Sequence, residues 1–178
     1  MLTNKVHYSI IIPTIGRWKY LFELLDSIRR QVSAPKEVII LLNEREEYKE
    51  QELNELYSKC FNLNMKIIHS NLNLAGKRNL GVQSAQTRLV FFSDDDDIWA
   101  PQKASVCLAQ LEFYPVVTHN FSKFGDVQLS NCSKLGKVNK EIALSIRLPG
   151  DNVYGGGSSI IVRKEVAELV PFDVKMPF

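Results

Sequence analysis

Residues 89–97 read Leu89-Val90-Phe91-Phe92-Ser93-Asp94-Asp95-Asp96-Asp97, an apolar run that ends in one serine and four aspartates. A short, fully apolar run of this kind is typical of a buried β-strand. The acid block therefore lies at the C-terminal end of a strand. Two carboxylates about 4 Å apart repel by roughly 4 kcal/mol at an effective dielectric near 20, so four together require a positive partner. A hard divalent cation, which prefers oxygen ligands, is the natural candidate.

The same strand pattern recurs upstream and alternates with helical patterns. Apolar runs predict strands at Tyr8–Ile12, Val38–Leu42, Met65–Ile68 and Leu89–Phe92. Residues at helical spacing lie between and after them: Leu21, Leu24, Leu25, Ile28 and Val32; Leu53, Leu56, Tyr57 and Cys60; 77 to about 85; and, after Pro101, Ala104, Cys107, Leu108 and Leu111. Apolar strands alternating with helices predict a three-layer α/β/α sandwich with a mostly parallel central sheet.

The predicted topology brings three polar strand ends to one edge of the sheet. Right-handed crossovers place the C-terminal ends of parallel strands along the same edge, where open α/β sheets bind ligands. Pro13-Thr14, Leu42-Asn43 and the acid block all follow strands, so we expect them to face one crevice.

The pattern changes in the second part of the chain. A strand is predicted at Val116–Phe121, and a polar loop or small hairpin at residues 122–141. Gly155-Gly156-Gly157 precedes an apolar strand at Ser158–Val162, and a short helix is predicted at Arg163–Val170. The three glycines allow backbone to approach a ligand closely, although a bulge or turn would also explain them.

Composition predicts one cytoplasmic domain. A chain of 178 residues is long enough for one sizeable core, and 22 basic against 20 acidic side chains argue against nucleic acid or an anionic membrane as the main partner. The odd number of cysteines, three, gives no disulfide framework, which favours a reducing compartment. The first apolar run is too short for a signal peptide or a spanning helix, which leaves room for peripheral membrane association only.

Two motifs carry candidate chemistry. Successive strand side chains point to opposite faces, so Asp94 and Asp96 share a side and can hold one metal, or one metal and one sugar hydroxyl. The alternative is a solvated acidic loop that caps the next helix.

Gly76-Lys77-Arg78-Asn79 opens a helix, where backbone N–H groups and two cations suit a phosphate. The alternative there is an ordinary loop with two solvated cations.

With these residues placed, the chain resembles the family 2 glycosyltransferases of the GT-A fold, from about residue 6 to residue 178. The stretches that carry the resemblance are Ser9-Ile10-Ile11-Ile12-Pro13-Thr14, Leu24-Leu25-Asp26-Ser27-Ile28, Lys77-Arg78-Asn79-Leu80-Gly81, 91–101 and 155–165. Each stretch alone is weak, but all of them in this order are specific. The resemblance implies an inverting transfer of a sugar from a nucleoside-diphosphate donor, with a UDP-sugar favoured, to the hydroxyl of a saccharide or lipid-linked acceptor.

The resemblance also assigns roles to residues. It implies that a Mn²⁺ or Mg²⁺ ion on Asp96, within the family's DxD motif, bridges the diphosphate. Gly156, Gly157 and Ser158 would border the donor sugar and acceptor. The implied nucleotide contacts are Pro13, Thr14, Asn43, Arg78, Asn79, Asp94 and Asp95.

Two departures from the family pattern matter. Leu42 and Asn43 stand where the family carries an Asp pair that reads the base, although the Asn43 amide oxygen can still accept from a uracil or thymine imide. The family's general base lies a few residues beyond the position of Phe178. We therefore expect residues 1–178 to be one catalytic domain in truncated form, with a nucleotide-binding half at 1–100 and an incomplete acceptor side at 101–178. Donor binding with poor turnover is the corresponding expectation.

Two other functions stay open at this point. One is a non-catalytic module that binds a nucleotide sugar. The other, less favoured, is a metal-dependent nucleotidyltransferase. The latter would carry a glycine-rich basic signature after the first strand, where residues 14–18 contain one glycine.

Overall fold

The computed structural model describes residues 6–44, 50–59, 62–119 and 157–175. These residues form one six-stranded sheet with helices on both faces. The strands are β1 (Ser9–Thr14), β2 (Glu37–Leu42), β3 (Met65–His69), β4 (Leu89–Phe92), β5 (Val116–Thr118) and β6 (Ile160–Arg163). The helices are α1 (Trp18–Arg29), α2 (Glu50–Lys59), α3 (Leu74–Ser84), α4 (Lys103–Leu111) and α5 (Lys164–Leu169).

The strand order is β3-β2-β1-β4-β6-β5, and β1 to β4 run parallel. Strand β6 runs antiparallel to β4, and β5 runs antiparallel to β6. The mostly parallel sheet predicted from the sequence is therefore confirmed. Because β2 and β3 lie on one side of β1 and β4 lies on the other, the order reverses between β1 and β4. A reversal of this kind opens a crevice at the carboxyl ends of the two strands.

Both faces of the sheet are buried, which explains why the middle of each central strand is apolar at consecutive positions. One face packs against α1, α2 and α4, and the other packs against α3 and α5. Within β1, Ile10 and Ile12 belong to the first core, while Ile11 belongs to the second. This alternation produces the three layers that the sequence predicts.

Pro13 lies in β1, a central strand, without disrupting the sheet. Strand β1 pairs with β2 along its whole length, but its pairing with β4 stops at Ile11, whose carbonyl accepts from Ser93 N. Alternate residues of a strand point their backbone groups to the same side, so an N–H at position 13 would face β4. The ladder has already ended there, and the N–H that proline lacks has no partner to lose.

Several element boundaries differ from the sequence prediction. Helix α3 begins at Leu74, three residues before the predicted start, because the Asn73 side chain caps it by accepting from Gly76 N at 2.9 Å. Val32 was predicted on the buried face of α1, but the helix ends at Arg29 and Val32 is 71% exposed. Tyr57 was predicted on the buried face of α2, and it is 58% exposed.

Part of the predicted second half lies outside the described residues. This applies to the end of the strand predicted at Val116–Phe121, to the loop at 122–141 and to Gly155-Gly156, and Cys60 of the second predicted helix also lies outside the described residues. A 3₁₀ turn at Gly157–Ser159 replaces the start of the strand predicted at Ser158–Val162.

No helix in the described ranges combines the length and the apolar character that crossing a membrane requires.

The contact between α3 and β1 gives a stability test. A Cβ added at Gly81 would overlap Cγ2 of Ile11 and come within 3.1 Å of its Cγ1 and Cδ1. Gly81→Ala should therefore destabilise the protein by about 1–3 kcal/mol through overpacking. In an exposed helix the same change would stabilise by up to ~1 kcal/mol, so the sign of the effect is decisive. Urea unfolding measures it.

Gln83→Ala is the matched control, because Gln83 lies on the exposed side of the same helix. It should change the free energy of unfolding by less than about 0.5 kcal/mol. A Gly81→Ala variant at least as stable as the wild type would show that α3 can move away from β1 at no cost.

Candidate functional site

Thr14 and Asp95 join β1 to the loop that follows β4, across the crevice between the two strands. The Thr14 hydroxyl donates to Oδ2 of Asp95 at 2.5 Å, and both side chains are buried. The same hydroxyl accepts from Gly16 N at 3.0 Å. One side chain therefore fixes the loop after β1 and the acid loop, residues 94–97, against each other.

Trp99 anchors the acid loop to the core. The indole is buried and packs 5.6 Å from the ring of Phe91, centroid to centroid. Its Nε1 donates to the Ser93 hydroxyl at 2.9 Å, and its backbone N donates to the Ser27 hydroxyl at 3.0 Å. The loop is thus held at both ends, as expected for a packing anchor beside the acid block.

Asp94 pairs with Arg78 of α3. Nη2 of Arg78 lies 2.6 Å from Oδ1 of Asp94, and the two side chains are 5% and 32% exposed. Burial raises the pKa of Asp94, and the charge and hydrogen bond of Arg78 oppose that rise. Asp94 and Arg78, which the resemblance assigns to the nucleotide, therefore lie side by side in the crevice.

Arg78 is supported from below by Phe172. The guanidinium lies 5.3 Å from the centroid of the Phe172 ring. Asn79 fixes that ring in place, because its amide donates to the Phe172 carbonyl and accepts from the Phe172 N, both at 2.9 Å. Nε of Arg78 is buried and has no hydrogen-bond partner among the residues that the structure describes. The guanidinium therefore retains a donor that an anion could satisfy.

Arg17 bridges the next two carboxylates. Its Nη2 pairs with Oδ1 of Asp95, and its Nη1 lies 2.8 Å from Oδ2 of Asp96. Gly16 makes this approach feasible with φ 87°, a left-handed conformation that glycine adopts readily. The bond to Asp95 is the largest cause that raises the pKa of Arg17.

Lys77 connects the first two strand ends. The side chain is buried, and its ammonium donates to the Thr14 carbonyl at 2.9 Å and to Oδ1 of Asn43. An ammonium only donates, so the atom of Asn43 that faces it is the amide oxygen. The oxygen predicted to read a base imide therefore already accepts one hydrogen bond.

Lys103 approaches the acid loop from α4. Its Nζ lies 3.9 Å from the centroid of the Trp99 ring and donates to the Ser158 carbonyl at 3.1 Å. Burial lowers its pKa to about 8, although the charges of Asp97, Cys107 and Asp94 oppose that fall. Lys103 ties the turn at Gly157–Ser159 to the side of the acid loop.

The structure brings most of the predicted site residues together, but not all of them. Thr14, Arg78 and the acid loop share the crevice, with Asn43 linked to them through Lys77. Asn79 instead uses both the nitrogen and the oxygen of its side-chain amide to bond the Phe172 backbone. Gly156 lies outside the described residues.

Strand alternation fails within the acid loop. It predicts Asp94 and Asp96 on one side, but β4 ends at Phe92. The carboxylates that share a cation are Asp95 and Asp96, whereas Asp94 takes a different one. The chain has left the sheet before the acids begin, so the two-residue period no longer applies.

Sequence reasoning missed roles for Arg17, Lys77 and Lys103. The position of Arg17, three residues after a strand that ends at the crevice, is a signal that could have identified it. The sequence around Lys77 indicates only a cation at a helix N-terminus. The burial of Lys77 and Arg78 excludes the alternative of two solvated cations. Nothing in the spacing around Lys103 distinguishes it from a surface lysine.

A cavity among the described residues lies away from this crevice. Its volume is about 640 Å³, and it is lined by residues that precede β1 and begin β4, including His7, Arg88 and Leu89. These residues stand at the opposite edge of the sheet from the acid loop, so the cavity has no part in this site. Within the described ranges, no group of three or more His, Cys, Asp or Glu side chains is arranged to hold a metal.

The fold matches that of GT-A glycosyltransferases. Residues 1–349 of TarS from S. aureus, solved in complex with UDP, superpose with a TM-score of 0.70 at 20% identity, over 96% of this chain and 51% of that one. The mannosyltransferase PcManGT of Pyrobaculum calidifontis, solved with GDP-Man and Mn²⁺, gives 0.66 at 15% identity, over 98% of this chain and 49% of that one.

The profile of glycosyl transferase family 2 matches residues 9–168, and the chain belongs to this family. Among its relatives is the poly(ribitol-phosphate) beta-N-acetylglucosaminyltransferase TarS of Staphylococcus aureus. TarS is 29% identical over 92 residues, which cover 51% of this chain and 16% of that protein. The chain spans between 16% and 53% of the length of the curated relatives it matches.

Lys103 gives a pH test. Its pKa is about 8 in the folded state against an ordinary 10.5, so between these pH values the unfolded state holds a proton that the folded state has released. Stability should therefore rise with pH across this window, and the burial penalty should be complete below pH 8. Relative to Lys103→Met, the wild type should gain up to about 3 kcal/mol from pH 8 to 10.5. Urea unfolding across this range measures the difference.

Lys19→Met, at an exposed lysine, is the control and should follow the wild type. A constant gap between the wild type and Lys103→Met at all these pH values would mean that Lys103 is not buried as a charged group.

Proposed function

We propose that this chain binds a nucleoside-diphosphate sugar, with UDP as the favoured nucleotide, as the donor domain of an inverting glycosyltransferase. The observation that carries the proposal is the convergence at the β1–β4 crevice. Buried Arg78, whose Nε lacks a hydrogen-bond partner within the described part of the chain, faces a block of carboxylates at the carboxyl ends of two parallel strands. Membership of glycosyl transferase family 2 supports it.

In this proposal the diphosphate lies between Arg78 and the acid loop. Arg78 supplies the donor that its Nε retains, and Phe172 keeps the guanidinium in place. Pro13 and Thr14 border the nucleoside, with Asn43 and Lys77 further along the same edge. Asp94 and Asp95 complete the nucleotide side. We assign Asn79 to positioning, since its amide bonds the Phe172 backbone.

A divalent ion fits the donor set at Asp96. The Asp96 side chain is 45% exposed, and its carboxylate offers the oxygen ligands that Mn²⁺ and Mg²⁺ favour. One or two carboxylates together with substrate phosphates are a common ligand set for Mg²⁺, which agrees with a site of few protein ligands. The ion, when bound, would offset the charge that develops on the leaving diphosphate.

The donor sugar and the acceptor would meet at the turn beginning at Gly157. Lys103 holds the Ser158 carbonyl beside the acid loop, so this turn borders the place where the diphosphate would end. An inverting transfer also needs a carboxylate that takes the proton of the acceptor hydroxyl. We assign no described residue to that step. Saccharides, free or lipid-linked, are the proposed acceptors.

Calorimetric titration with UDP, CDP, GDP and ADP, each with and without Mn²⁺, tests the proposal. We expect UDP to bind best and Mn²⁺ to tighten its binding by roughly tenfold, because the ion joins the carboxylate to the diphosphate. Asp96→Asn should remove the gain from Mn²⁺ but leave weak metal-free binding, since Arg78 is unchanged.

Asp26→Asn is the matched control, because Asp26 is a half-exposed aspartate paired with Arg29 on the surface of α1. It should bind UDP as the wild type does. Metal-dependent binding that survives Asp96→Asn would remove Asp96 from the site. Release of free sugar from UDP-sugars would show turnover, and donor binding without it would favour the non-catalytic alternative.

A further inference from the structure

Arg17 pairs with Asp96, the residue to which the proposed function assigns a divalent ion. It holds Asp95 with one arm of its guanidinium and Asp96 with the other. A cation therefore already neutralises the carboxylate to which the metal is assigned. We call this arrangement the Arg17 fork: Nη2 pairs with Asp95, and Nη1 pairs with Asp96.

The two arms of this fork are unequal. The Asp95 side chain is 3% exposed, whereas those of Asp96 and Arg17 are 45% and 42% exposed. A half-exposed ion pair contributes little, because water competes for both partners. A buried carboxylate that loses its cation is strongly destabilised. The arm on Asp96 can therefore open while the arm on Asp95 stays closed.

The loop after β1 directs Arg17 to this position. Gly16 turns the chain with a positive φ, and its N–H is fixed by the Thr14 hydroxyl that also bonds Asp95. Arg17 lies 6.0 Å from the centroid of the Tyr20 ring on the first turn of α1. The guanidinium is thus tied to the acid loop through the backbone as well as through its own ion pairs.

Resting on the proposed function, we propose that Arg17 is an internal placeholder for the divalent ion. Arg17 neutralises Asp96 in the ligand-free protein. When the metal binds, the ion pair with Asp96 breaks and the ion pair with Asp95 remains. Metal binding to the empty site is weakened by this competition. A bound diphosphate should restore the affinity for the metal, because its negative charge attracts both the ion and the guanidinium nitrogen that Asp96 has released. Metal and nucleotide should therefore bind synergistically.

Mn²⁺ binding to the full 178-residue chain without nucleotide, followed by electron paramagnetic resonance of the free ion, tests the placeholder. Arg17→Gln should bind Mn²⁺ roughly tenfold more tightly than the wild type, because a competing unit charge at contact distance is gone. Arg29→Gln is the matched control, since Arg29 is a 42% exposed arginine paired with one surface aspartate. It should leave Mn²⁺ affinity unchanged.

A thermal-shift readout covers the case in which Arg17→Gln folds less stably. The variant leaves Asp95 without its cation, so Mn²⁺ should raise its Tm more than that of the wild type. The double variant Arg17→Gln/Asp96→Asn should lose the gained affinity, which assigns the gain to Asp96.

The outcomes separate the two proposals. Equal or weaker Mn²⁺ binding by Arg17→Gln, with Asp96 still required, would overturn the placeholder and leave Asp96 as a metal ligand. Mn²⁺ binding that is absent from every variant, or insensitive to Asp96→Asn, would overturn the placeholder together with the proposed metal site. UDP titration of the same samples reports separately whether nucleotide binding stands.

Discussion

Negative charge concentrated at one strand end is the constraint around which the rest of the crevice is arranged. Four consecutive carboxylates follow β4, and the sheet delivers them to the place where its strand order reverses. Cations come to this loop from three separate elements: Arg17 at the start of α1, Arg78 from α3 and Lys103 from α4. The loop therefore acts as a common binding partner for helices on both faces of the sheet.

Polar positioning around the crevice extends over long sequence distances. Asn79 and Phe172 are 93 residues apart, yet their mutual hydrogen bonds fix the ring beneath Arg78. Thr14 bonds Asp95 across 81 residues. Such links make the geometry of the site a property of the assembled sheet, because no single segment contains both partners.

The sequence predicted the sheet well because its signal is local and repeated. The Leu89–Phe92 strand lies where the apolar run predicts it, and the buried face of α4 is confirmed. The prediction that Val32 is buried was wrong, because the apolar residues keep helical spacing past Arg29 although the helix ends there. The acid loop lies directly after β4, where the order of the apolar run and the aspartates predicts it. The Arg17 fork, the Lys77 bridge and the Lys103 contact were not found, since each depends on which side chains face one another after folding.

The proline in the middle of β1 has a consequence for how the crevice behaves. A strand of ordinary residues could extend its pairing with β4 by another rung, drawing the two strands together and narrowing the gap. Proline removes the hydrogen that such a rung needs, so β1 offers β4 no further backbone donor at the crevice, whether or not the crevice holds a ligand. Any other residue at position 13 would restore that donor on the side of β1 that faces β4.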